Sequence, residues 1–346
     1  MNDKVSKSVA YWLLIGAFLV VSMVILGGYT RLSHSGLSMV SWKPVTGWLP
    51  PMSDQQWIQE FEQYKTSPEY IKRNYDFNLE EFKQIYWPEF YHRLLGRVIG
   101  VVFLVPFLFF LIRGKLKDKK LRLRLIIIFF LGGLQGFIGW YMVKSGLVDR
   151  PDVSHYRLAL HLSTALLLFG YLLWTAMGLL YPERAEKTEG DSLVRKLLYT
   201  LFGVVSLQII YGAFVAGLKA GKFYPTFPKM GDDWVPYAIE EAIGKSGFIS
   251  FLESPFVVQF MHRWIAVIVA VMVIFLFLKG LKMSLTSLQR KGLLFLFIAL
   301  IIQFTLGVLT IVNLTPIFLG VVHQLGAVVL LSAVLISIYS FRAKKA

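Results

Sequence analysis

Four of the six histidines in the chain lie within long apolar segments, where a polar side chain is costly and tends to be functional. They are His92, His161, His262 and His323, and each lies near the start of its segment. A single histidine there is often a hydrogen-bonded structural residue, but four in a repeated pattern favour ligation. Imidazoles from two facing helices can bind both axial positions of a haem iron. We therefore predict one haem, held by two histidines, in each half.

The residue types exclude several other metal centres. The chain contains no cysteine, so disulfides, thiolate catalysis, iron–sulfur clusters and cysteine-ligated metals are ruled out. A tetrahedral zinc site would need ligands beyond two histidines, and none is evident in the sequence. The remaining histidines, His34 and His155, are predicted to lie in outer loops, and we interpret them as structural or solvated.

A carboxylate distinguishes the two halves. Glu89 lies three residues before His92, on the same face of a helix, whereas Gln259 occupies the matching place before His262. A carboxylate beside a haem can accept a proton or stabilise developing positive charge, and an amide does neither as well. We predict chemistry in the first half and a permanently bound electron-transfer haem in the second. The alternative is that Glu89 pairs with a nearby arginine and fixes the loop.

Several arginines lie near the predicted ligands and can neutralise haem propionates. Arg157 precedes His161 by four residues and therefore shares its helix face. Arg93, Arg97 and Arg263 also lie close to ligand positions. The alternative for each of them is that it anchors the end of a helix at the membrane surface.

Eight apolar segments position these residues. Of the 346 residues, 56% are hydrophobic and only 16% are charged, which is typical of a chain whose solvent is the bilayer. The predicted spans are residues 10–30, 90–112, 125–143, 158–182, 197–218 and 255–278, together with a hairpin over 292–341 that is broken at residues 313–316. The fold class is therefore all-α integral membrane, and the first span is interpreted as a span rather than a signal peptide.

The formal net charge of +15 has an uneven distribution along the chain. The two termini and the loops near 113–124, 183–196 and 279–291 hold 20 of the 36 Lys and Arg residues but only 6 of the 21 Asp and Glu residues. Basic loops face the cytoplasm, so both termini are predicted to be cytoplasmic. The charge is thus a signal of topology, and we predict no nucleic-acid partner.

The two halves resemble each other. Gln135 and Gly139 in the third span match Gln303 and Gly307 in the seventh, and both His92 and His262 are followed by arginine. Four spans per half indicate a parallel repeat of two four-helix bundles. We predict a first half over residues 1–182 with a long outer loop at 31–89, and a second half over 183–346 with an outer loop at 219–254. Both loops are expected to form ordered caps over the outer face.

The same residues resemble the haem A synthase family over the whole chain. The matching motifs are Gly27 to Leu32, Ser35 to Ser38, Trp42, Gly47 and Pro50-Pro51, then Glu89 to Arg93 with Gly96 and Arg97, Gln135-Gly136 with Gly139-Trp140, Ser145 to Leu147, Arg157 to His161, Met261 to Arg263, and His323-Gln324. They are specific in combination, although each alone is weak. Some members carry cysteine pairs in outer loops, and this chain resembles a cysteine-free type.

The resemblance implies oxidation of a methyl group of haem O to a formyl group, giving haem A for terminal oxidases. His92 and His161 would then bracket the substrate haem, Glu89 would be the essential carboxylate, and Arg31, Arg97 and Arg157 would bind the substrate. His262 and His323, with Arg263, would hold a resident haem b. Implied partners are haem O, haem O synthase, assembly factors of terminal oxidases and the lipid bilayer. The implied location is a bacterial plasma membrane rather than a mitochondrial inner membrane.

Two other functions compete with this interpretation. A non-enzymatic dihaem b-type electron-transfer protein explains the four histidines equally well, but not the difference between Glu89 and Gln259. A transporter built from inverted repeats is disfavoured by the parallel repeat. The residues leave both water and O₂ open as the source of the formyl oxygen.

Overall fold

The computed structural model describes residues 3–43, 45–147, 151–182 and 191–342. The described chain is helical, and its only β-type pairing is an isolated bridge between Met230 and Asp233. The helices are α1 (Asp3–Leu32), α2 (Asp54–Lys65), α3 (Pro68–Lys72), α4 (Leu79–Ile112), α5 (Lys119–Lys144), α6 (His155–Leu180), α7 (Asp191–Gly217), α8 (Tyr237–Ser246), α9 (Ser250–Glu253), α10 (Pro255–Leu281), α11 (Ser287–Val312) and α12 (Ile317–Ser340). Short 3₁₀ turns cover Ala220–Lys222 and Gly247–Ile249.

Eight of these helices in the described ranges are long and apolar enough to cross a membrane. They are α1, α4, α5, α6, α7, α10, α11 and α12. The predicted all-α fold class and the predicted number of spans are confirmed, and the chain is a multi-pass membrane protein.

The chain forms two compact units, Met1–Thr175 and Ala176–Ala346. Within the first unit, α1 packs against α4 and α4 against α5. Side-chain contacts join α5 to α6, and Gly16 of α1 faces Leu172 of α6. Within the second unit, α7, α10, α11 and α12 pack in sequence, and α12 returns to α7. This arrangement is compatible with the predicted pair of four-helix bundles. The predicted boundary after residue 182 adjoins residues 183–190, which lie outside the described residues.

Local signals in the sequence fix several helix ends. Asn78 followed three residues later by Glu81 is the sequence pattern of a capping box, and one is present at the start of α4: the Asn78 side chain accepts from the Glu81 N–H, and the Glu81 carboxylate accepts from the Asn78 N–H. The predicted hairpin is also confirmed, because α11 ends at Val312 and α12 begins at Ile317. Leu314 and Thr315 between them have left-handed φ angles of 60° and 59°.

An aromatic cluster orders the first long loop. Its buried members are Met39, Trp57, Tyr64, Phe82, Tyr86 and Phe90, which come from the loop, from α2 and from the start of α4. Trp57 meets Tyr86 edge-on at 4.9 Å, and Tyr64 stacks on Phe82 at 5.0 Å. Burial of these large rings supplies the apolar area that a loop of this length needs to hold one conformation. The first long loop therefore has a buried core of its own, and its location over the outer face stays a prediction.

A buried carboxyl lies within this cap. Glu69 of α3 is only 2% exposed, its Oε2 lies 3.3 Å from the Tyr64 hydroxyl, and Asn74 donates to that hydroxyl at 2.7 Å. Burial, reinforced by the negative charge of Glu89, raises the pKa of Glu69 to about 7. The cap therefore contains a group that changes charge near neutral pH.

The second long loop has a smaller core of its own. Met230, Ile239 of α8 and Val257 of α10 are buried together, and Tyr224 and Phe256 pack against them. The loop is thus held to the start of α10, as the first loop is held to the start of α4.

Candidate functional site

The four predicted ligands form two pairs. His92 of α4 and His161 of α6 are close enough to interact electrostatically, and so are His262 of α10 and His323 of α12. Each pair lies within a single compact unit. The structure therefore brings together the histidines that the repeat pattern assigned to each half.

Each of the four imidazoles packs against a glycine of the preceding span. The pairs are His92 with Gly27, His161 with Gly139, His262 with Gly212 and His323 with Gly307. A Cβ at any of these glycines would lie 3.0–3.2 Å from a ring atom, which is closer than ordinary van der Waals contact. Glycine therefore lets the ring rest on the backbone of the neighbouring helix. Sequence reasoning quoted Gly27 and Gly139 within motifs but missed this role.

Three of the imidazoles also have a glutamine partner. Gln135 Nε2 lies 3.1 Å from His161 Nδ1, and Thr164 donates to Gln135 Oε1 at 2.6 Å. Gln208 Nε2 lies 3.3 Å from His262 Nε2.

The third glutamine, Gln303, interacts with His323 through its backbone, and its side-chain Oε1 lies where a Cβ of Gly326 would be. The signal that could have revealed the set is a glutamine four residues before each glycine, in α5, α7 and α11.

Glu89 is buried, with 3% of its surface exposed, and both of its carboxylate oxygens have partners. Its Oε1 pairs with Arg93, while its Oε2 accepts from Ser38 Oγ at 2.7 Å and from the Met39 N–H at 2.8 Å. Arg93 in turn donates to the carbonyls of Met39 and Ser41 at 2.7 Å. The ion pair that formed the alternative interpretation is thus present, and it fixes the loop that follows α1.

The matching group in the second half uses an amide. Gln259, 1% exposed, donates to the Tyr224 carbonyl at 3.1 Å. Arg263 donates to the carbonyls of Tyr224 and Thr226 at 2.6 and 2.7 Å. Arg263 therefore holds its loop as Arg93 does, but without a carboxylate beside it at the position that Glu89 occupies.

The other predicted arginines differ in the hydrogen bonds and ring contacts that they make. Arg97 donates to the Lys43 carbonyl at 2.7 Å, but its Nε and Nη1 are buried without a partner among the described residues. Gly47, with a left-handed φ of 81°, leaves room for that guanidinium: a Cβ there would lie 3.1 Å from Arg97 Nη2. Arg157 donates to the Tyr141 carbonyl at 2.8 Å and stacks on its ring. Arg31 lies in the last turn of α1, one turn after Gly27.

The two remaining histidines lie apart from these pairs. His34 follows α1 with a left-handed φ of 55°, and His155 is the first residue of α6, with its ring 4.0 Å from that of Tyr156. His155 therefore begins a helix rather than lying within a loop.

The donor set fits a haem. His262 Nδ1 and His323 Nδ1 are buried without a hydrogen-bond partner in the described part of the chain, and so are Gln208 Oε1 and Gln303 Oε1. When Nε2 binds iron, Nδ1 carries a proton that needs an acceptor. Across the described ranges no group of three or more His, Asp or Glu residues could hold a bare metal ion.

Comparison with known proteins identifies the family. The family model COX15-CtaA, described as cytochrome oxidase assembly protein, matches residues 10–335. The chain is 46% identical to the heme A synthase of Flavobacterium psychrophilum over 98% of this chain and 99% of that protein. It is 44% identical to the heme A synthase of Flavobacterium johnsoniae, over 95% and 96% of the two chains.

A third relative gives a similar result. The heme A synthase of Nitrosospira multiformis is 43% identical over 96% of this chain and 92% of that protein. The range that the family model matches contains both histidine pairs and both long loops. The chain belongs to the COX15-CtaA family of cytochrome oxidase assembly proteins.

Proposed function

We propose that this protein is a haem A synthase, an oxidoreductase that converts a methyl group of haem O into the formyl group of haem A. The observation that carries the proposal is the difference between the two histidine pairs. A buried carboxylate, Glu89, lies three residues before His92, and the amide of Gln259 lies at the same distance before His262. The names of the relatives support the same reaction.

The reaction requires an electron acceptor. Conversion of a methyl to a formyl group adds one oxygen atom and removes four electrons; with water as the oxygen source, four protons are released as well. Haem b, when held by His262 and His323, supplies a one-electron redox centre for those electrons. The second half of the chain provides the two imidazoles and the guanidinium of Arg263 for this resident haem.

The first half of the chain binds and orients the substrate. His92 and His161 provide two imidazoles for the iron of haem O. Arg97 has two buried nitrogens without protein partners, Nε and Nη1, which suit a propionate. Arg31 and Arg157 lie on α1 and α6 near the same histidines and complete the basic side of the site.

Glu89 contributes a fixed charge to this site. Both of its oxygens already accept hydrogen bonds, so a proton from the substrate would have to displace one of the donors. A carboxylate held by three donors is preorganised to stabilise positive charge that develops on the substrate. We therefore assign Glu89 electrostatic stabilisation first and proton transfer second.

The cellular setting follows from the distribution of charge and the kind of reaction. The excess of Lys and Arg in alternate loops supports a cytoplasmic location for both termini, in a protein of the bacterial plasma membrane. Haem O carries a long isoprenoid tail, so the substrate is supplied from the lipid phase by haem O synthase. The product passes to assembly factors of terminal oxidases.

The test is expression of the protein together with a source of haem O, followed by extraction of haem and mass analysis. A haem A synthase yields a formyl haem that is absent when His92 and His161 are both replaced by alanine. A dihaem b-type electron carrier, the alternative with the same histidines, would show haem absorption bands but no formyl haem. That outcome would overturn the proposal.

A further inference from the structure

After α1, the first long loop runs along α4 in the direction of its membrane-spanning part. Alternate loop residues are hydrogen-bonded to α4 residues that are one helical turn apart. The pairs are Met39 with Glu89, Ser41 with Arg93 and Lys43 with Arg97, at 2.7–2.8 Å. Two residues of extended chain advance by about 6.6 Å and four helical residues by about 6 Å, so the two spacings match. The loop therefore follows α4 from the level of Glu89 to the level of Arg97.

The last of these attachments lies at membrane depth. Arg113 follows the end of α4, so one boundary of the hydrocarbon core lies close to this residue. At 1.5 Å per residue, Arg97 is about 24 Å from Arg113 along the helix, whereas the hydrocarbon core is about 30 Å thick. A tilt of the helix or a kink at Pro106 shortens that distance further. Because the Arg97 side chain can reach outward over the remainder, the Lys43 carbonyl lies at the opposite boundary rather than above it.

Residues 45–52, which we call the tip segment, form the turn that follows. Gly47 in this segment has a left-handed φ of 81° and lies against the Arg97 guanidinium. The chain then returns along α4, because Trp57 of α2 meets Tyr86, which is about 16 Å from Arg97 along the helix. The tip segment is therefore the part of the loop that lies closest to the bilayer.

The tip segment is uncharged and exposes apolar side chains. Val45, Leu49 and Met52 are 80%, 73% and 72% exposed, and Trp48 is exposed beside them. Residues 32–53 contain no Asp or Glu. Protein surfaces in water rarely expose such clusters, whereas tryptophan with aliphatic side chains is typical of segments in the membrane interface. Trp48 Nε1 donates to the Val45 carbonyl at 3.0 Å, so the turn satisfies some of its own polar groups.

We propose that the tip segment inserts into the lipid leaflet nearest the start of α4, with Val45, Leu49 and Met52 among the acyl chains below the headgroups. The depth of Arg97 along α4 and the exposure of these side chains are independent observations, and both favour lipid as the partner. The segment also contacts Arg97 through Gly47, so lipid borders the guanidinium that we assign to a haem propionate. This last relation rests on the proposed function, whereas the insertion does not.

Spin labels on single cysteines test the insertion, because the chain contains no cysteine of its own. Leu49→Cys labels the tip segment in protein reconstituted into vesicles of phosphatidylethanolamine and phosphatidylglycerol. The label is relaxed by oxygen, which concentrates in acyl chains, and separately by a nickel chelate, which stays in water. We expect the ratio of oxygen to nickel accessibility to be several-fold higher at position 49 than at a control position in the same loop.

Ile71→Cys is the matched control. Ile71 is also an exposed apolar residue, but it lies in α3, where its neighbour Tyr70 packs on Tyr64 and Tyr64 stacks on Phe82. Phe82 is about 22 Å from Arg97 along α4, on the side away from the bilayer. The label at position 71 should therefore be relaxed mainly by nickel.

Two results at position 49 would overturn the proposal. Relaxation mainly by nickel would place the tip segment in water. Weak relaxation by both reagents would show that protein covers it, as in an interface between two copies of the chain.

A second pair of variants tests the apolar contact itself. With the label at Val45→Cys, Met52→Glu should lower the ratio of oxygen to nickel accessibility several-fold, because a carboxylate is costly among acyl chains. Ile71→Glu should leave that ratio unchanged. An unchanged ratio in Met52→Glu would contradict the insertion. These measurements require no haem, so their outcome is separate from whether the protein forms haem A.

Discussion

The starts of α4 and α10 hold the loops before them in the same way but with different charge. Arg93 donates to two loop carbonyls and Arg263 to three, at 2.6–3.2 Å. One turn earlier, Glu89 accepts from the first loop, whereas Gln259 donates to the second. The start of α4 therefore has a carboxylate paired with a guanidinium, whereas the start of α10 has a guanidinium beside an amide.

This comparison distinguishes the residues that hold the loops from a residue with a chemical role. Because both halves achieve the same loop attachment, the carboxylate is not required to hold a loop to the start of a helix. A buried ion pair is also no cheaper than an amide, since its charges must be desolvated. The presence of Glu89 in one half therefore favours a functional reason for its charge.

The largest effect is expected from Glu89→Gln, which gives the first half the amide of the second. Haem A formation should fall by about 10²–10⁴-fold, the usual range for a lost general acid–base or charge-stabilising group. Haem should still bind in both halves, because no imidazole is changed. The measurement is the ratio of haem A to haem O in extracts.

Glu80→Gln is the matched control, because Glu80 lies on the same helix in an exposed pair with Lys83 at 2.6 Å. Near-normal haem A formation by Glu89→Gln would make Glu89 a structural ion-pair partner, and the catalytic assignment would be withdrawn.

The next effect concerns the resident haem. His262→Ala or His323→Ala should abolish its absorption while the protein remains in the membrane, because the other buried contacts of the second unit are retained. His92→Ala should leave that absorption largely intact. Reduced-minus-oxidised spectra of purified variants measure this, and equal losses in all of them would show that the halves do not divide their tasks.

A smaller effect is expected at Gly326, which accommodates Gln303. A Cβ there would overlap Gln303 Oε1, so Gly326→Ala should displace this amide, which lies one turn of α12 after His323. The midpoint potential and the absorption maximum of the resident haem should shift, because the displaced side chain changes the packing around His323. Gly203→Ala in α7 is the control, since a Cβ at Gly203 meets nothing within 4 Å. Identical spectra for the two variants would contradict the role of Gln303.

The smallest expected effect is a pH dependence confined to the first long loop. The Glu69 pKa of about 7 exceeds its ordinary value of 4.5, so between these values the folded protein retains a proton that the unfolded chain has lost. The stability of this loop should therefore be greatest below pH 4.5 and should fall as the pH rises to about 7.

Thermal unfolding and hydrogen exchange of the loop, followed across that range, measure this stability. Glu69→Gln should flatten the profile, and Glu62→Gln, an exposed partner of Lys65, should not. Arg73 and Asp152 near Glu69 act in opposite directions on its pKa, so Asp152→Asn should lower the pKa slightly.

The sequence predicted features that depend on residues near each other in the chain. Spans follow from uncharged runs, the capping box from Asn78 and Glu81, and the hairpin from the break at residues 313–316. The Glu89–Arg93 pair was foreseen as an alternative because residues four apart share a helix face.

Contacts between helices were harder to predict. Gln208 and Gly212 were not singled out, because neither residue type signals a site unless the neighbouring histidine is known to lie beside it. Likewise, the pairing of Arg97 with the Lys43 carbonyl depends on the path of the loop, which local patterns do not specify. The structure adds the supporting residues around ligands that the sequence had already indicated.

The four glycines that face the imidazoles have a consequence for how this protein tolerates variation. Gly27, Gly139, Gly212 and Gly307 have no functional group, yet even a methyl group there would press on a ligand ring. In a library screened for haem content, these positions should be as intolerant as the histidines themselves. A variant at Gly100, where a Cβ meets nothing within 4 Å, should be neutral in the same screen. Intolerance at the four glycines would thus report the spacing of two helices rather than any reaction step.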